Sequence, residues 1–102
     1  LSELSRGDRQ FELELLQTFM EDAPTYIEEA RNALESGELT ELARRAHQLK
    51  GASSTVAIRE MPEVAKQLEI EAETNCTEDA RRSIEQLEVL LQRVRGAIAQ
   101  WE

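Results

Sequence analysis

Apolar side chains recur at intervals of three and four residues along most of the chain, which is the spacing of one face of an α-helix. The first such stretch covers residues 8–36. Its stripe stays in phase through Pro24, so the pattern predicts one helix that is kinked there. Asp8 is the expected N-cap, and Gly37 is the expected stop. The predicted inward side chains are Phe11, Leu15, Leu16, Phe19, Met20, Ala23, Ile27, Ala30 and Leu34.

Three further stretches show the same periodicity. They cover residues 38 or 40 to 57, residues 60–73 and residues 77–101. Pro62 falls in the first turn of the third helix, where a missing amide hydrogen costs little, and Thr77 is the expected cap of the fourth helix. The predicted inward side chains are Leu42, Ala46, Leu49, Ser53 and Val56, then Met61, Val64, Ala65, Leu68 and Ala72, and finally Ile84, Leu87, Leu91, Val94, Ile98 and Trp101.

Four amphipathic helices joined by short turns predict an all-α, antiparallel four-helix bundle. Leu1 and Leu4 are expected to form a short extra helix that covers one end of the bundle. The length of 102 residues fits a single domain spanning 1–102. Only 4% of the residues are aromatic, which also favours packed helices over a β-sandwich. A long coiled coil is the alternative, but Gly37 and the small residues after Lys50 interrupt it.

The formal net charge of −9 argues against nucleic acid and anionic membrane surfaces as partners, because both repel an acidic protein. The charge is uneven along the chain. Residues 38–59 hold four bases and two acids, a local balance of +2, and the single histidine lies within them. Cys76 is the only cysteine, so no internal disulfide forms, and a reducing compartment such as the cytoplasm is expected.

His47 is the residue most suited to chemistry. On a helical wheel it points about 140° away from the apolar stripe of the second helix, so a buried structural role is disfavoured. The remaining plain alternative is an inert surface histidine. Gly51 argues against that alternative, since a glycine inside a helix costs about 1 kcal/mol relative to alanine and here clears the space one turn beyond the imidazole. Lys50 brings a positive charge to the neighbouring position, and Ala43 is small.

This group of residues suits the acceptance of a phosphoryl group. An imidazole side chain ordinarily has a pKa of about 6.5 and is therefore mostly neutral and nucleophilic near pH 7. Phosphoryl transfer needs positioning and neutralisation of charge, part of which Lys50 could supply. The chain offers no carboxylates clearly grouped for Mg²⁺, no glycine-rich phosphate loop and no second histidine. A metal ion and a partner aspartate would have to come from another protein.

The sequence resembles histidine-containing phosphotransfer (HPt) domains. The resemblance rests on AHQLKGASS at residues 46–54, which contains the family's H-x-L-K-G signature, and on QLE at residues 67–69. It covers residues 8–100 loosely and residues 43–69 closely. The chain departs from the family at Ala57 and Ile58, where many members have a Gly-Ala pair, and at Pro62. Both departures concern the turn into the third helix rather than the chemistry.

The resemblance implies that His47 is phosphorylated through Nε2, that Lys50 assists electrostatically and that Gly51 allows close approach of a receiver domain. It implies a phosphorelay carrier of two-component signalling between receiver aspartates. Such a carrier is not an enzyme as an isolated domain and has no cofactor of its own, with Mg²⁺ on the receiver. The expected docking surface adds outward positions of the first helix to Ala43, Arg44 and Ser54.

Three other interpretations stay open at this point. The chain could be a non-catalytic helical interaction module with an unused histidine. It could be the dimerising phosphoacceptor domain of a sensor kinase, although that family tends to have an acidic residue where Gln48 stands. A metal-dependent or hydrolytic enzyme is disfavoured, because one histidine and one cysteine provide too few ligands.

The apolar stripes and the family resemblance also lead to expectations about the assembly and location of the chain. A monomer is expected, because each narrow apolar stripe is used within one bundle. The expected location is the cytoplasm, or the cytoplasmic portion of an inner-membrane sensor kinase. The start at Leu1 suggests the C-terminal domain of a hybrid sensor histidine kinase. The cognate receivers, the signal and the direction of phosphoryl flow are not encoded in these patterns.

Overall fold

The fold is a bundle of four helices in the part of the chain that the structure describes. The structure, a computed structural model, describes the backbone of residues 2–54 and 60–101 and the side chains of residues 14–54, 60–97, 99 and 100. The helices are α1 (Ser2–Glu35), α2 (Leu39–Ser53), α3 (Glu60–Glu73) and α4 (Thr77–Trp101). Each helix packs against two others, in the ring order α1, α2, α3, α4. Since short connections join neighbouring helices, the architecture confirms the predicted antiparallel bundle.

The beginning of α1 differs from the prediction. The helix begins at Ser2 rather than at Asp8 and continues through Pro24 to Glu35. Asp8 is therefore inside the helix and does not cap it, and Leu4 belongs to α1 rather than to a separate extra helix. Leu1 lies outside the described residues. The prediction was wrong because it rested on Asp8 as a cap, and a cap is worth only about 1 kcal/mol, which does not prevent a helix from beginning earlier.

Two turns are closed by the same hydrogen-bonding pattern. After α1, Gly37 has a φ of 73°, the N–H of Glu38 donates to Ala33 O at 2.8 Å, and the N–H of Gly37 donates to Leu34 O at 3.2 Å. After α3, Asn75 takes the left-handed conformation with a φ of 62°. Both turns are Schellman motifs, which satisfy the last carbonyls of a helix and reverse the chain. The stop at Gly37 is confirmed, whereas Asn75 was not predicted.

The end of α2 and the capping residue of α4 also differ from the prediction. α2 ends at Ser53 rather than at Ala57, and residues 55–59, with Val56, Ala57 and Ile58, lie outside the described residues. The Ser53 hydroxyl donates to Leu49 O at 2.7 Å, and such side-chain bonds to the backbone compete with continuation of a helix. At α4, the carbonyl of Cys76 accepts from the N–H of Ala80 at 2.9 Å. The capping position is therefore Cys76, one residue before Thr77.

The core follows the predicted stripes closely. The predicted side chains of α2 that the structure describes are all buried, and those of the other helices are buried or half-buried. The side chains of Phe11, Ile98 and Trp101 lie outside the described residues. The pattern missed three small or peripheral core positions, Ala33, Ala80 and Leu90.

Glu71 was not expected in the interior. Its side chain is buried between α3 and α4, as is that of Ser83. The Ser83 hydroxyl donates to Glu71 Oε1 at 2.7 Å, and Gln67 Nε2 donates to Glu71 Oε2 at 3.3 Å. A buried carboxylate is stable only when it is hydrogen-bonded, and these two donors satisfy that of Glu71. The Gln67 bond lies within α3, whereas the Ser83 bond joins α4 to α3.

The variant Ser83→Ala is expected to lower the free energy of unfolding by about 1–3 kcal/mol, because it leaves a buried acceptor without its closer donor. Urea denaturation followed by helical circular dichroism measures this loss. Ser36→Ala is the matched control, since Ser36 is exposed in the α1–α2 turn. Its expected change is below about 0.5 kcal/mol. Equal losses in the two variants would contradict the assigned role of the Ser83 hydroxyl.

Candidate functional site

His47 lies on the solvent side of α2, near the middle of the helix. Its neighbour Ala46 and the apolar residues Leu42 and Leu49 point into the core, and all three are at most 1% exposed. The His47 side chain is 64% exposed. Since successive residues are separated by 100° around a helix, a core residue directly before His47 turns the imidazole toward the flank of α2. The predicted outward placement of His47 agrees with this geometry.

The two flanks of α2 meet different helices. Arg45 contacts α1, where its guanidinium lies 3.1 Å from Glu29 Oε2. His47 contacts α3 instead, where its Nδ1 atom lies 3.1 Å from Glu69 Oε2. Sequence analysis predicted that the first helix would supply the residues beside His47. The helix that supplies a side-chain contact to His47 is α3.

Glu69 joins His47 to Lys50. While one carboxylate oxygen faces the imidazole, the other lies 3.2 Å from Lys50 Nζ. The side chains of Glu69 and Lys50 are 19% and 33% exposed, so this pair is partly shielded from water. An imidazole, a carboxylate and an ammonium group thus form one continuous chain of contacts across the α2–α3 interface.

The contact with Glu69 determines which ring nitrogen of His47 is available. An ionised carboxylate can only accept hydrogen bonds, so the contact favours the imidazole tautomer that carries its hydrogen on Nδ1. The neutral imidazole then carries its lone pair on Nε2, at the other end of the ring. Because Glu69 occupies the Nδ1 side and the side chain is otherwise exposed, Nε2 is the nitrogen that can act as a nucleophile toward a partner.

Lys50 and Gly51, the two residues predicted to support His47, are placed differently. The Lys50 ammonium group lies on the Glu69 side of the site rather than being free beside the ring. At Gly51, an added Cβ atom would meet nothing within 4 Å. The packing of the domain itself therefore does not require a glycine at this position. Because glycine has no side chain, the helix surface one turn beyond the imidazole is left uncovered.

The predicted docking residues all lie on α2 or directly after it. Arg44 is exposed, with an ion pair to Glu41 at 3.7 Å, and Ala43 is half-buried against the core. Ser54 is exposed, and its hydroxyl donates to Gly51 O at 2.8 Å. Together with His47 and Gly51, these side chains form one face of the helix.

Two kinds of feature are absent from the described residues. They contain no cluster of three or more His, Cys, Asp or Glu side chains that could hold a metal ion. Of the helices that the structure describes, none combines the length and the apolar character needed to cross a membrane.

Glu69 is the site residue that sequence analysis did not single out. It belongs to QLE at residues 67–69, which carried part of the family resemblance, yet no role was attached to it. The available signal was its position directly after Leu68, a predicted core residue of α3. That position turns Glu69 to one flank of its helix, in the same way that Ala46 turns His47.

The described residues form a helical bundle with an exposed imidazole that contacts Glu69 through Nδ1, an arrangement that fits a phosphotransfer module of two-component signalling. A scan against known protein families matches residues 14–97 to the Hpt domain. The chain belongs to the Hpt domain family. No curated protein sequence matches the chain at a significant level.

The solved structures include one with the same fold. It is the HPT domain from the Hpt sensor hybrid histidine kinase from Shewanella, which aligns with a TM-score of 0.76. The alignment covers 94% of this chain and 83% of that chain at 22% sequence identity. At this level of identity the similarity concerns the arrangement of the helices, and it confirms the predicted fold.

Proposed function

We propose that this domain is an intermediate of a phosphorelay and carries a phosphoryl group on His47 Nε2 between the aspartates of receiver domains. The observation that supports this most directly is the contact between His47 Nδ1 and Glu69. With the hydrogen on Nδ1, the lone pair is on Nε2. The His47 side chain is exposed, on a helix whose opposite face is buried in the core. Membership of the Hpt family supports the same chemistry.

The transfer is a displacement at phosphorus. The Nε2 lone pair forms a bond to the phosphorus of an aspartyl phosphate while the bond from phosphorus to the aspartate oxygen breaks, and the aspartate leaves as a carboxylate. The hydrogen stays on Nδ1, so the phosphorylated ring carries a positive charge next to the Glu69 carboxylate. Transfer to a second receiver reverses these steps and returns a neutral imidazole. The partner supplies Mg²⁺, which neutralises the developing charge.

The proposed docking surface for the receiver consists of Ala43, Arg44, Lys50, Gly51 and Ser54 around His47. Its bases suit a receiver site that is rich in carboxylates, because residues 38–59 are locally positive in a chain with a net charge of −9. Because Gly51 has no side chain, the backbone of the partner can approach Nε2 closely. Flanking contacts would come from α3, next to Glu69.

The cellular setting is proposed from the same function. A receiver partner places the domain in the cytoplasm, either alone or as the cytoplasmic portion of a hybrid sensor histidine kinase in the inner membrane. One phosphoryl group per chain requires no dimer, since each chain holds a complete set of His47, Lys50 and Glu69. We therefore propose a monomer.

The test is phosphoryl transfer from a purified partner. The domain is mixed with a receiver that has been phosphorylated with radioactive acetyl phosphate, in the presence of Mg²⁺. The expected result is label on the domain that is lost in acid and kept in base, as for a nitrogen–phosphorus bond. A set of receivers from the same organism is needed, because the cognate receiver is unknown. Binding of a receiver without any labelling would favour the non-catalytic interaction module.

A further inference from the structure

A groove lies on the outside of the bundle between α1 and α4. Its volume is about 640 Å³, and it is open to solvent. Because the helices pack in the ring order α1, α2, α3, α4, this groove is on the opposite side of the bundle from the α2–α3 interface, where His47 contacts Glu69. The proposed transfer of a phosphoryl group makes no use of this surface.

Both helices present residues at the same spacing to the groove. The residues of α1 that line it are Pro24, Ile27, Glu28 and Arg31. Those of α4 include Glu85, Glu88, Val89 and Gln92. In each helix these are positions i, i+3, i+4 and i+7, which form one face over two turns. Two such faces side by side make a surface on which a third helix can pack, with its side chains between the ridges of its neighbours. We refer to this surface as the α1–α4 groove.

The floor of the α1–α4 groove is apolar. Ile27 and Leu91 line it and are 4% and 6% exposed, so they also belong to the core. Pro24 is half-buried. Val89 is 53% exposed, the largest exposed fraction of any large apolar side chain among the described residues. A single exposed valine needs no explanation, but one that continues an apolar floor indicates a contact surface.

The rim of the groove carries more acidic than basic side chains. Arg31 is held by Glu88, with contacts of 2.6 and 3.2 Å to its two carboxylate oxygens. Glu28 and Glu85 are exposed, and the ion pairs of the described residues involve neither of them. The groove therefore offers two unpaired carboxylates beside an apolar floor. A second copy of this chain would bring a further net charge of −9, so charge argues against self-association here.

We propose that the α1–α4 groove binds an amphipathic helix of a partner protein. Apolar side chains of that helix lie on the floor, and its lysine or arginine side chains pair with Glu28 and Glu85. A helix that binds in a groove uses anchors at the i, i+3, i+4 and i+7 positions, which is the spacing of the two faces that line this groove. Because the groove is on the far side of the bundle, the bound helix leaves His47 open to a receiver.

The probe for this site is a synthetic helical peptide of about 15 residues, with leucine at the anchor positions, lysine beside the leucines and alanine elsewhere. Its titration into the ¹⁵N-labelled domain is expected to shift the backbone amide signals around the groove and to leave that of His47 in place. A peptide with glutamate instead of each lysine should bind at least about tenfold more weakly. Equal binding of the two peptides, shifts confined to other surfaces, or no shifts at all would overturn the proposal.

Variants with equal net charge separate the groove from general attraction to an acidic protein. Glu28→Gln combined with Glu85→Gln is expected to weaken binding of the lysine peptide by about threefold to tenfold. The matched control combines Glu63→Gln with Glu73→Gln, two exposed glutamates of α3 that also take no part in the ion pairs of the described residues. The control should bind within about twofold of wild type. Equal weakening in the two double variants would mean that the peptide binds by overall charge, which refutes the proposal.

The apolar floor is tested by Val89→Gln. This variant is expected to weaken binding of the lysine peptide by about threefold to tenfold, because half-burial of a valine is lost. Ile70→Gln is the control, since Ile70 is 44% exposed on α3, outside the groove. It should bind within about twofold of wild type, and helical circular dichroism should be unchanged in both variants. Unimpaired binding by a folded Val89→Gln domain would refute the assigned floor.

Sedimentation of the domain without peptide decides between a partner helix and a second copy. The wild-type domain is expected to remain monomeric. Self-association that is lost in Val89→Gln would show that a second copy occupies the groove, which overturns the proposal. None of these measurements uses a receiver or phosphoryl transfer, so their outcome is independent of the proposed function.

Discussion

Replacing His47 with glutamine is expected to abolish acceptance of the phosphoryl group while leaving the bundle folded. Glutamine has no nucleophilic nitrogen, and His47 is the only histidine of the chain, so no second imidazole can replace it. The free energy of unfolding should change by less than about 0.5 kcal/mol, because the His47 side chain is 64% exposed. The glutamine amide can still donate a hydrogen bond to Glu69. Labelling by a phosphorylated receiver and urea denaturation measure the two quantities.

The matched control for this variant is Arg82→Gln. Arg82 is on α4, its side chain is 77% exposed, and its ion pair with Asp79 spans 3.5 Å at the surface. This control is expected to accept the phosphoryl group at the wild-type rate with unchanged stability. Acid-labile label on the His47→Gln protein would show that another residue is the acceptor. Loss of the fold in that variant would show that the imidazole has a structural role.

The arrangement of the helices could be predicted because it depends on one repeated property. Burial of an apolar stripe determines which residues of α2 face inward, and Leu42, Ala46, Leu49 and Ser53 follow it without exception. Helix ends depend on weaker local preferences, worth about 1 kcal/mol each. This explains why α1 begins before Asp8. The left-handed residue Asn75 was missed for the same reason.

The candidate site could be predicted only in part, and the reason is geometric. A helical wheel shows whether a residue faces the core or solvent, so it placed His47 on the outside. It does not show whether the neighbouring helix on a given side is α1 or α3, because this depends on the handedness of the bundle. The partnership of His47 with Glu69 on α3 therefore appeared only in three dimensions, 22 residues apart in sequence.

The same limit applies to charged residues in general. The spacing of Lys50 three residues after His47 indicated an ammonium near the ring. Whether that ammonium faces the ring or a third residue depends on what the adjacent helix presents. Glu71 is a parallel case on the other flank of α3, where a carboxylate is buried against Ser83. Sequence periodicity predicts positions well and polar partners poorly.

Replacing Gly51 with leucine is expected to slow phosphoryl transfer by more than about tenfold while the domain stays folded. The added side chain would stand one turn beyond His47, over the surface that a receiver must approach. A Cβ atom at this position meets nothing within 4 Å, so we expect the domain to accept a side chain there. Gly51→Ala separates the effect on phosphoryl transfer from the effect on stability. It should raise the free energy of unfolding by about 0.5–1 kcal/mol, since alanine is the better helix former, and it should slow transfer less than leucine does.

Gly96 provides a closely matched control for this series. It is also a glycine within a helix, on α4, and its Cβ position is equally open. Alanine at Gly96 should stabilise the domain by a similar amount, and leucine there should leave transfer within about twofold of wild type. Transfer rates and urea denaturation on the four variants complete the comparison. Unimpaired transfer with leucine at Gly51 would refute close approach at this position, and unfolding of that variant alone would show that the glycine serves structure. A loss of transfer confined to Gly51, with stability raised at both sites by alanine, would mean that this glycine is retained for the partner at the expense of stability.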